Sequence, residues 1–405
     1  MRIEKRAAAA VNGMHYTVPF FSAYFIYYAA YCVFSSYTVL FLTERSYSAT
    51  VCGIITSLTF LANLLMEPVG GYITDTFLPT RRYLLSCIGA VSALCMFCTR
   101  YMDQPWLMLP GMVLAAGITY PFSQLMDAWV NISKEKQPDL VYSRIRAGGS
   151  IGFAVMSVLG GYYFKYRGWH DYFLVQMVLF LLMVPFLFLL PDTSLGNRKK
   201  KEKTEEENLS FGQAFHVLAQ NRQFLFCLAI STLYWMSHRP VGSFLSLIIV
   251  ERGGDAGIFG SVCGAGAAVE FASLMLLASL WKKEKSPALW GMAAALGTNL
   301  LRPLCFLLFS GEWALYLGQM LQSVSFAFYL SASVDCFSEA ADERLRSFSI
   351  SLGLTVSSVV GTVLANLAGG RLCDIFGPEF LVVFSLAMGI VNATFFVFFS
   401  KIRLK

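Results

Sequence analysis

The sequence predicts an all-α membrane protein: twelve transmembrane helices in two pseudo-symmetric six-helix bundles. Three observations carry this. The hydrophobic fraction is 56% and the charged fraction 14%, whereas a soluble domain carries about a quarter charged residues. Apolar runs of the ~20 residues needed to cross a ~30 Å hydrocarbon core follow one another almost without a break. Landmarks of the first half of the chain recur in the second. In lipid only helices and closed barrels satisfy every backbone group, and these runs are too long for barrel strands.

The first-half spans are predicted at 17–42, 48–73, 82–101, 105–131, 143–166 and 170–191. The first follows a basic Met1–Arg6 and is too long for a cleaved signal core. Arg81 and Arg82 separate spans two and three, and Lys134, Lys136, Arg144 and Arg146 separate four and five. A charge run, R-K-K-K-E-K-T-E-E-E-N, follows span six and has no core-forming residues. It marks a cytoplasmic linker, so the predicted domains are 1–191, a linker at 192–221, and 222–405. The second-half spans are 222–249, 256–281, 287–310, 313–338, 345–373 and 378–402.

Cations sort by side. Arg45, Arg100, Lys165, Arg167, Arg252 and Arg371 fall on one face, and most of the remaining Lys and Arg, including those near both termini, fall on the other. Cytoplasmic loops carry that excess, so both termini are expected in the cytoplasm, in a multi-pass protein of a bacterial cytoplasmic membrane. The net charge of +6 is then topology, and no nucleic-acid partner is expected. The partner is the lipid bilayer, and the chain is expected to be a monomer.

Most of the ten cysteines lie in apolar runs, and Cys95 and Cys98 lack a second pair or a histidine. They read as small packing residues between helices. Gly148-Gly149-Ser150-Ile151-Gly152 and Gly264-Ala265-Gly266 lie in spans with no preceding strand, so they read as close helix packing and not as nucleotide loops. No metal site and no cofactor are expected.

The repeat has three anchors at a nearly constant separation, roughly 208 residues. Glu44-Arg45 before Gly53 matches Glu251-Arg252 before Gly260. Asp127 matches Asp335. Gly160-Gly161 before Gly168 matches Gly369-Gly370 before Gly377. Arg144-Ile145-Arg146 has a cousin in Arg344-Leu345-Arg346 at a shorter separation. Duplication of a six-span unit follows, with a path between the halves.

Charges inside spans are costly unless they face a cavity or a partner, so they are the best functional signal. They are Glu67 before Pro68 in span two, Asp127 in span four, His238 and Arg239 in span seven, Glu270 in span eight, Arg302 in span nine and Asp335 in span ten. Each also has a structural reading: a buried Glu270–Arg302 pair that locks helices, an Asp127–Arg146 bridge at helix ends, or a lone hydrogen-bonded histidine at His238. Asp75, with Arg81 and Arg82, has the make-up of a breakable latch at the inner end of spans two and three.

Gly71 to Arg82 resembles the G-x-x-x-D-(R/K)-x-G-x-(R/K) motif of the major facilitator superfamily, with the glycine and second basic position displaced. Tyr142-Ser-Arg-Ile-Arg-Ala-Gly-Gly-Ser-Ile-Gly-Phe-Ala154 is similar to the start of span five in the lactose permease and phenylpropionate permease branch. So are L-L-M-E-P-V-G-G-Y-I-T-D at 64–75, V-E-F-A-S-L-M-L-L-A in span eight, and Arg302 followed by Q-M-L-Q-S-V-S-F-A-F.

The resemblance implies a secondary active transporter that moves a small polar or aromatic organic solute by alternating access, by proton-coupled uptake. It implies substrate contacts at Asp127, Arg146, Phe153, Glu270 and Arg302. Asp127 replaces a glutamate of that branch, and Phe153 a sugar-stacking tryptophan. Gln322 and Ser325 stand where the branch has a histidine and a glutamate of its proton path, so Glu270 would carry the proton alone or with Asp127 or His238. Gating falls to Asp75, Arg81, Arg82, Glu67 and Asp335. An efflux antiporter and an uncoupled facilitator are the alternatives within this class. A membrane sensor lies outside it and would need a signalling segment that no stretch here is long enough to supply. No enzyme is expected, because no catalytic constellation clusters at one interface.

Overall fold

A computed structural model describes residues 2–137, 140–191, 211–280 and 288–403. The charge run of the expected linker lies outside the described residues. In the first part of the chain lie α1 (Arg2–Glu44), α2 (Ala49–Thr76), α3 (Thr80–Arg100), α4 (Pro105–Thr119), α5 (Phe122–Lys136), α6 (Tyr142–Arg167) and α7 (Tyr172–Leu189). After them come α8 (Phe211–Gln220), α9 (Arg222–Ser243), α10 (Leu245–Glu251), α11 (Ala256–Leu280), α12 (Ala288–Leu308), α13 (Glu312–Glu339), α14 (Arg346–Phe376) and α15 (Phe380–Arg403). Taking α4 with α5 and α9 with α10, these elements supply the twelve predicted spans, and α8 stands apart from them. Among the described residues, ten segments are long and apolar enough to cross a membrane. Neither α9 nor α13 is among the ten, and these two helices carry His238, Arg239, Gln319 and Gln322.

The expected first span, 17–42, corresponds to Tyr16–Glu44, carried on a helix that begins at Arg2. Two other spans are interrupted within their expected bounds. The fourth span breaks at Tyr120-Pro121. Proline has no N–H to continue the ladder, and the Tyr27 hydroxyl donates to the Tyr120 carbonyl at 3.1 Å, which satisfies the carbonyl beside the break. The seventh span breaks at Phe244, four residues after Pro240.

Chain compactness gives two units. One holds Met1–Glu44 with Leu58–Lys201, and the other Arg45–Ser57 with Glu202–Lys405. The short stretch Arg45–Ser57 clusters with the second unit for a local reason. The Asp374 carboxylate of α14 accepts from the Ala49 and Thr50 amides at 2.8 and 2.9 Å, filling orphan donors at the start of α2. A Cβ on Gly370 would lie 2.5 Å from the Ala49 carbonyl oxygen, so only glycine permits this approach.

The repeat is visible in the backbone. Glu44-Arg45 and Glu251-Arg252 are followed by Ser46 (φ 63°) and Gly253 (φ 81°), both left-handed. Two residues on, Ser48 Oγ accepts from Val51 N in α2, and Asp255 Oδ1 accepts from Gly257 and Ile258 N in α11. Helices α6 and α14 both stop at a left-handed glycine, Gly168 (φ 75°) and Gly377 (φ 84°). Only glycine takes that conformation at no steric cost.

Each unit has a seam of small residues. In the first, α6 lies on α1. A Cβ on Gly148 would sit 2.6 Å from the Phe21 carbonyl oxygen, and one on Gly152 would be closer still to that of Phe25. In the second, α14 lies on α9, where a Cβ on Gly361 would sit 2.5 Å from Trp235 Cβ and 2.7 Å from the Thr232 carbonyl. Small residues let helix backbones approach where burial from water gives no driving force. All ten cysteines are free thiols, and nine are buried.

Candidate functional site

In the first unit the polar residues gather on α1, α5 and α6. Tyr24, Tyr27, Tyr28 and Tyr31 share one face of α1, at the i, i+3, i+4, i+7 spacing of a helix. Tyr24 Oη donates to Asp127 Oδ1 at 2.5 Å. Arg146 Nη2 donates to Tyr28 Oη at 2.6 Å, with its guanidinium carbon 4.3 Å from the same ring centroid. Gly149 makes room for that ring, since a Cβ there would lie 2.6 Å from Tyr28 Cδ2. Phe153 sits 6.5 Å from the Tyr31 ring, which packs edge-on against Tyr120 at 5.0 Å.

The predicted Asp127–Arg146 bridge is therefore not how these charges are held. Each is met by its own α1 tyrosine. What results is an aromatic surface with one strong acceptor and one planar cation, suited to a solute with a ring and polar substituents.

In the second unit the cluster lies on α9, α12 and α13. Arg302 is 3% exposed. Its Nη2 donates to Gln319 Oε1 at 2.9 Å, and Gln319 Nε2 donates to Gln322 Oε1 at 2.8 Å. Gln322 Nε2 lies 3.2 Å from His238 Nε2. The expected Arg302–Glu270 pair is not made: the partner of Arg302 is Gln319, and its Nε and Nη1 have no hydrogen-bond partner. Glu270 is half-buried on α11. His238 stacks on Tyr234 with centroids 5.3 Å apart, and the Arg239 guanidinium lies 4.8 Å from the Trp235 ring. Asn299 Nδ2 donates to Ser237 Oγ at 2.6 Å. Ser325 is structural, donating to the Ala295 carbonyl at 2.9 Å.

The predicted gating residues do not all look alike. Asp75 and Arg82 are exposed at the ends of α2 and α3, and Arg81 Nη1 reaches the Leu190 carbonyl at 3.5 Å. Glu67 in α2 and Asp335 near the end of α13 are half-buried. Among the described residues no group of His, Cys, Asp and Glu is arranged to hold a metal.

The model of the MFS_1 like family matches residues 20–384. The chain belongs to that family. Solved transporters share its fold at low identity. The nucleoside transporter NupG superposes with a TM-score of 0.81 at 13% identity, over 94% of this chain and 98% of that one. A bacterial homolog of the human lysosomal transporter Spinster, inward-facing and unoccupied, gives 0.69 at 14%, over 96% and 97%. The POT family transporter PepTSo gives 0.68 at 12%, over 94% and 97%. No curated protein sequence matches. This member of the family is a multi-pass helical membrane protein with the fold of these solved transporters.

Sequence reasoning missed Tyr24, Tyr28 and Gln319. The tyrosines had a signal, the four-residue helical face of α1. Gln319 had none beyond lying in an apolar span.

Proposed function

We propose that this MFS_1 like family member is a proton-coupled uptake carrier for a small organic solute with an aromatic or similarly flat polar body, working by alternating access. The observation that supports it best is the α1 tyrosine face with Asp127 and Arg146 set into otherwise apolar helices. Charges there are costly and are retained for a path or a ligand. Asp127, Arg146 and Phe153 are the contacts contributed by the first unit, and Glu270 and Arg302 those of the second. The span-five and span-eight segments support placement in the lactose and phenylpropionate permease branch. The distribution of Lys and Arg supports cytoplasmic termini in a bacterial cytoplasmic membrane. Asp75, Arg81, Arg82, Glu67 and Asp335 act in gating, and the carrier works as a monomer.

Glu270 is the proton carrier in this reading. The hydrogen bond of Arg302 goes to Gln319, so protonating Glu270 leaves that contact intact. Proteoliposomes loaded with a pH dye test this. Wild-type protein should acidify the lumen as substrate enters. Glu270→Gln should abolish accumulation yet permit exchange down a gradient, because the amide mimics the protonated acid. Equal proton uptake by both proteins removes Glu270 from the mechanism. Solute entry without proton movement in the wild type establishes an uncoupled facilitator.

A further inference from the structure

We propose that the buried cluster of α9, α12 and α13 is an anion site that takes a carboxylate-sized negative group, with Arg302 and His238 as its donors. This deepens the transport reading and rests on it, since it says that the solute is acidic.

The argument starts from what each atom is able to do. A guanidinium only donates. Arg302 Nη2 therefore fixes Gln319 with its oxygen inward, which turns the Gln319 amide nitrogen toward Gln322 Oε1. That in turn leaves the Gln322 nitrogen facing His238 Nε2. His238 Nε2 must then accept, so the ring proton sits on Nδ1. The polarity of the arginine is passed through two amides and sets the tautomer of a histidine on another helix. Such assignments follow from the network as a whole.

Next come the atoms left over. Arg302 Nε and Nη1 are buried and have no hydrogen-bond partner, and His238 Nδ1 is buried with only the Asn299 amide beside it and no well-formed hydrogen bond. All three are donors. Arg302 is 3% and His238 8% exposed, and Arg302 has neutral hydrogen-bonding company in Gln319. A buried cation without a counter-charge is one of the costlier things a helix bundle can hold. A cluster whose unused groups are donors, around a positive charge, asks for an anion.

The cluster comes close to an exposed stretch of α9. Nη1 is buried but lies 3.8 Å from the point where a Cβ on Gly242 would stand, with no other side chain within 4 Å of that point, and Gly242 is exposed. A carboxylate arriving there meets Nη1 first. Nε and Nη1 lie on opposite edges of the guanidinium plane, and Nη2 is taken by Gln319, so the carboxylate accepts a single charge-assisted hydrogen bond from Nη1. The same chemistry fits a free inorganic anion.

The test uses purified full-length protein and thermal stabilisation by three probes: benzoate, its neutral isostere benzamide, and chloride. Benzoate should bind the wild type at least tenfold tighter than benzamide. Gln319→Glu supplies an internal carboxylate to Arg302, so it should fold, melt higher, and lose the preference for benzoate while still binding benzamide. Arg302→Gln should lose the preference as well. Chloride stabilisation that matches benzoate and disappears in both variants supports the site and assigns it to a free inorganic anion. Equal binding of benzoate and benzamide overturns the proposal, as does a preference that survives in both variants. Uptake of a neutral solute by liposomes with no anion preference sinks the anion site and leaves the transport reading standing. An anion preference in a protein that moves nothing does the reverse.

Discussion

In the first unit Asp127 and Arg146 are each met by a tyrosine of α1, and no atom of either is a buried one left without a hydrogen bond. In the second unit Arg302 is met by an amide, and two of its nitrogens are left over. Both units carry the same left-handed turn after Glu-Arg and the same glycine stop. The backbone recurs while the buried chemistry diverges. A hydroxyl can both give and take a proton, so tyrosines close a network. A guanidinium can only give, so amides beside it pass on its polarity and leave donors unmatched.

Three changes would break or sharpen that contrast. The largest effect is expected at the α1–α6 seam that holds the first network in register. Gly152→Val drives a side chain into the Phe25 carbonyl, a backbone clash that should cost about 3 kcal/mol or more. A wild-type melting temperature for this variant would mean that the two helices are not in contact as described. Tyr24→Phe is next. It deprives the Asp127 carboxylate of its short bond, and loss of a hydrogen bond to a charged group costs about 1.5–3 kcal/mol. Denaturation of the purified protein reads this directly, and no change would show that Asp127 is held by something else.

The smallest effect has the opposite sign. Arg302→Met removes a buried charge that has no ionic partner, and replacing buried charge with apolar volume is often neutral or stabilising by about 1 kcal/mol or more. A modest rise in melting temperature is expected, with transport lost. A sharp destabilisation would show that Arg302 is paired after all and that the two units treat charge alike.

The bundle itself was legible in the sequence because hydropathy and span length determine it almost alone. The repeat was legible from Glu-Arg and Gly-Gly landmarks, which the structure meets with matching conformations at Ser46, Gly253, Gly168 and Gly377. Helix breaks at Tyr120 and Phe244 were not, since proline is common in membrane helices and local satisfaction decides whether it kinks or interrupts one. Charged site residues stood out because they are rare in apolar runs. Their partners did not. Whether Arg302 faces Glu270 or Gln319 depends on how α11, α12 and α13 are rotated, which a pattern of apolar residues leaves open over tens of degrees. The tyrosine face of α1 was written in the spacing and is easily overlooked, because tyrosine is also an ordinary membrane-interface residue.

The seam at Gly148 and Gly152 has a thermodynamic consequence for the face it supports. With α6 resting on the α1 carbonyls, Tyr24, Tyr28 and Arg146 belong to one stiff body and already hold their hydrogen-bonded positions. Immobilising a rotamer-rich side chain on binding costs roughly 0.5–1.5 kcal/mol. Under the proposed function, a ligand arriving at this face finds that entropy already lost during folding, and glycines that touch no solute then help to set how tightly one is held.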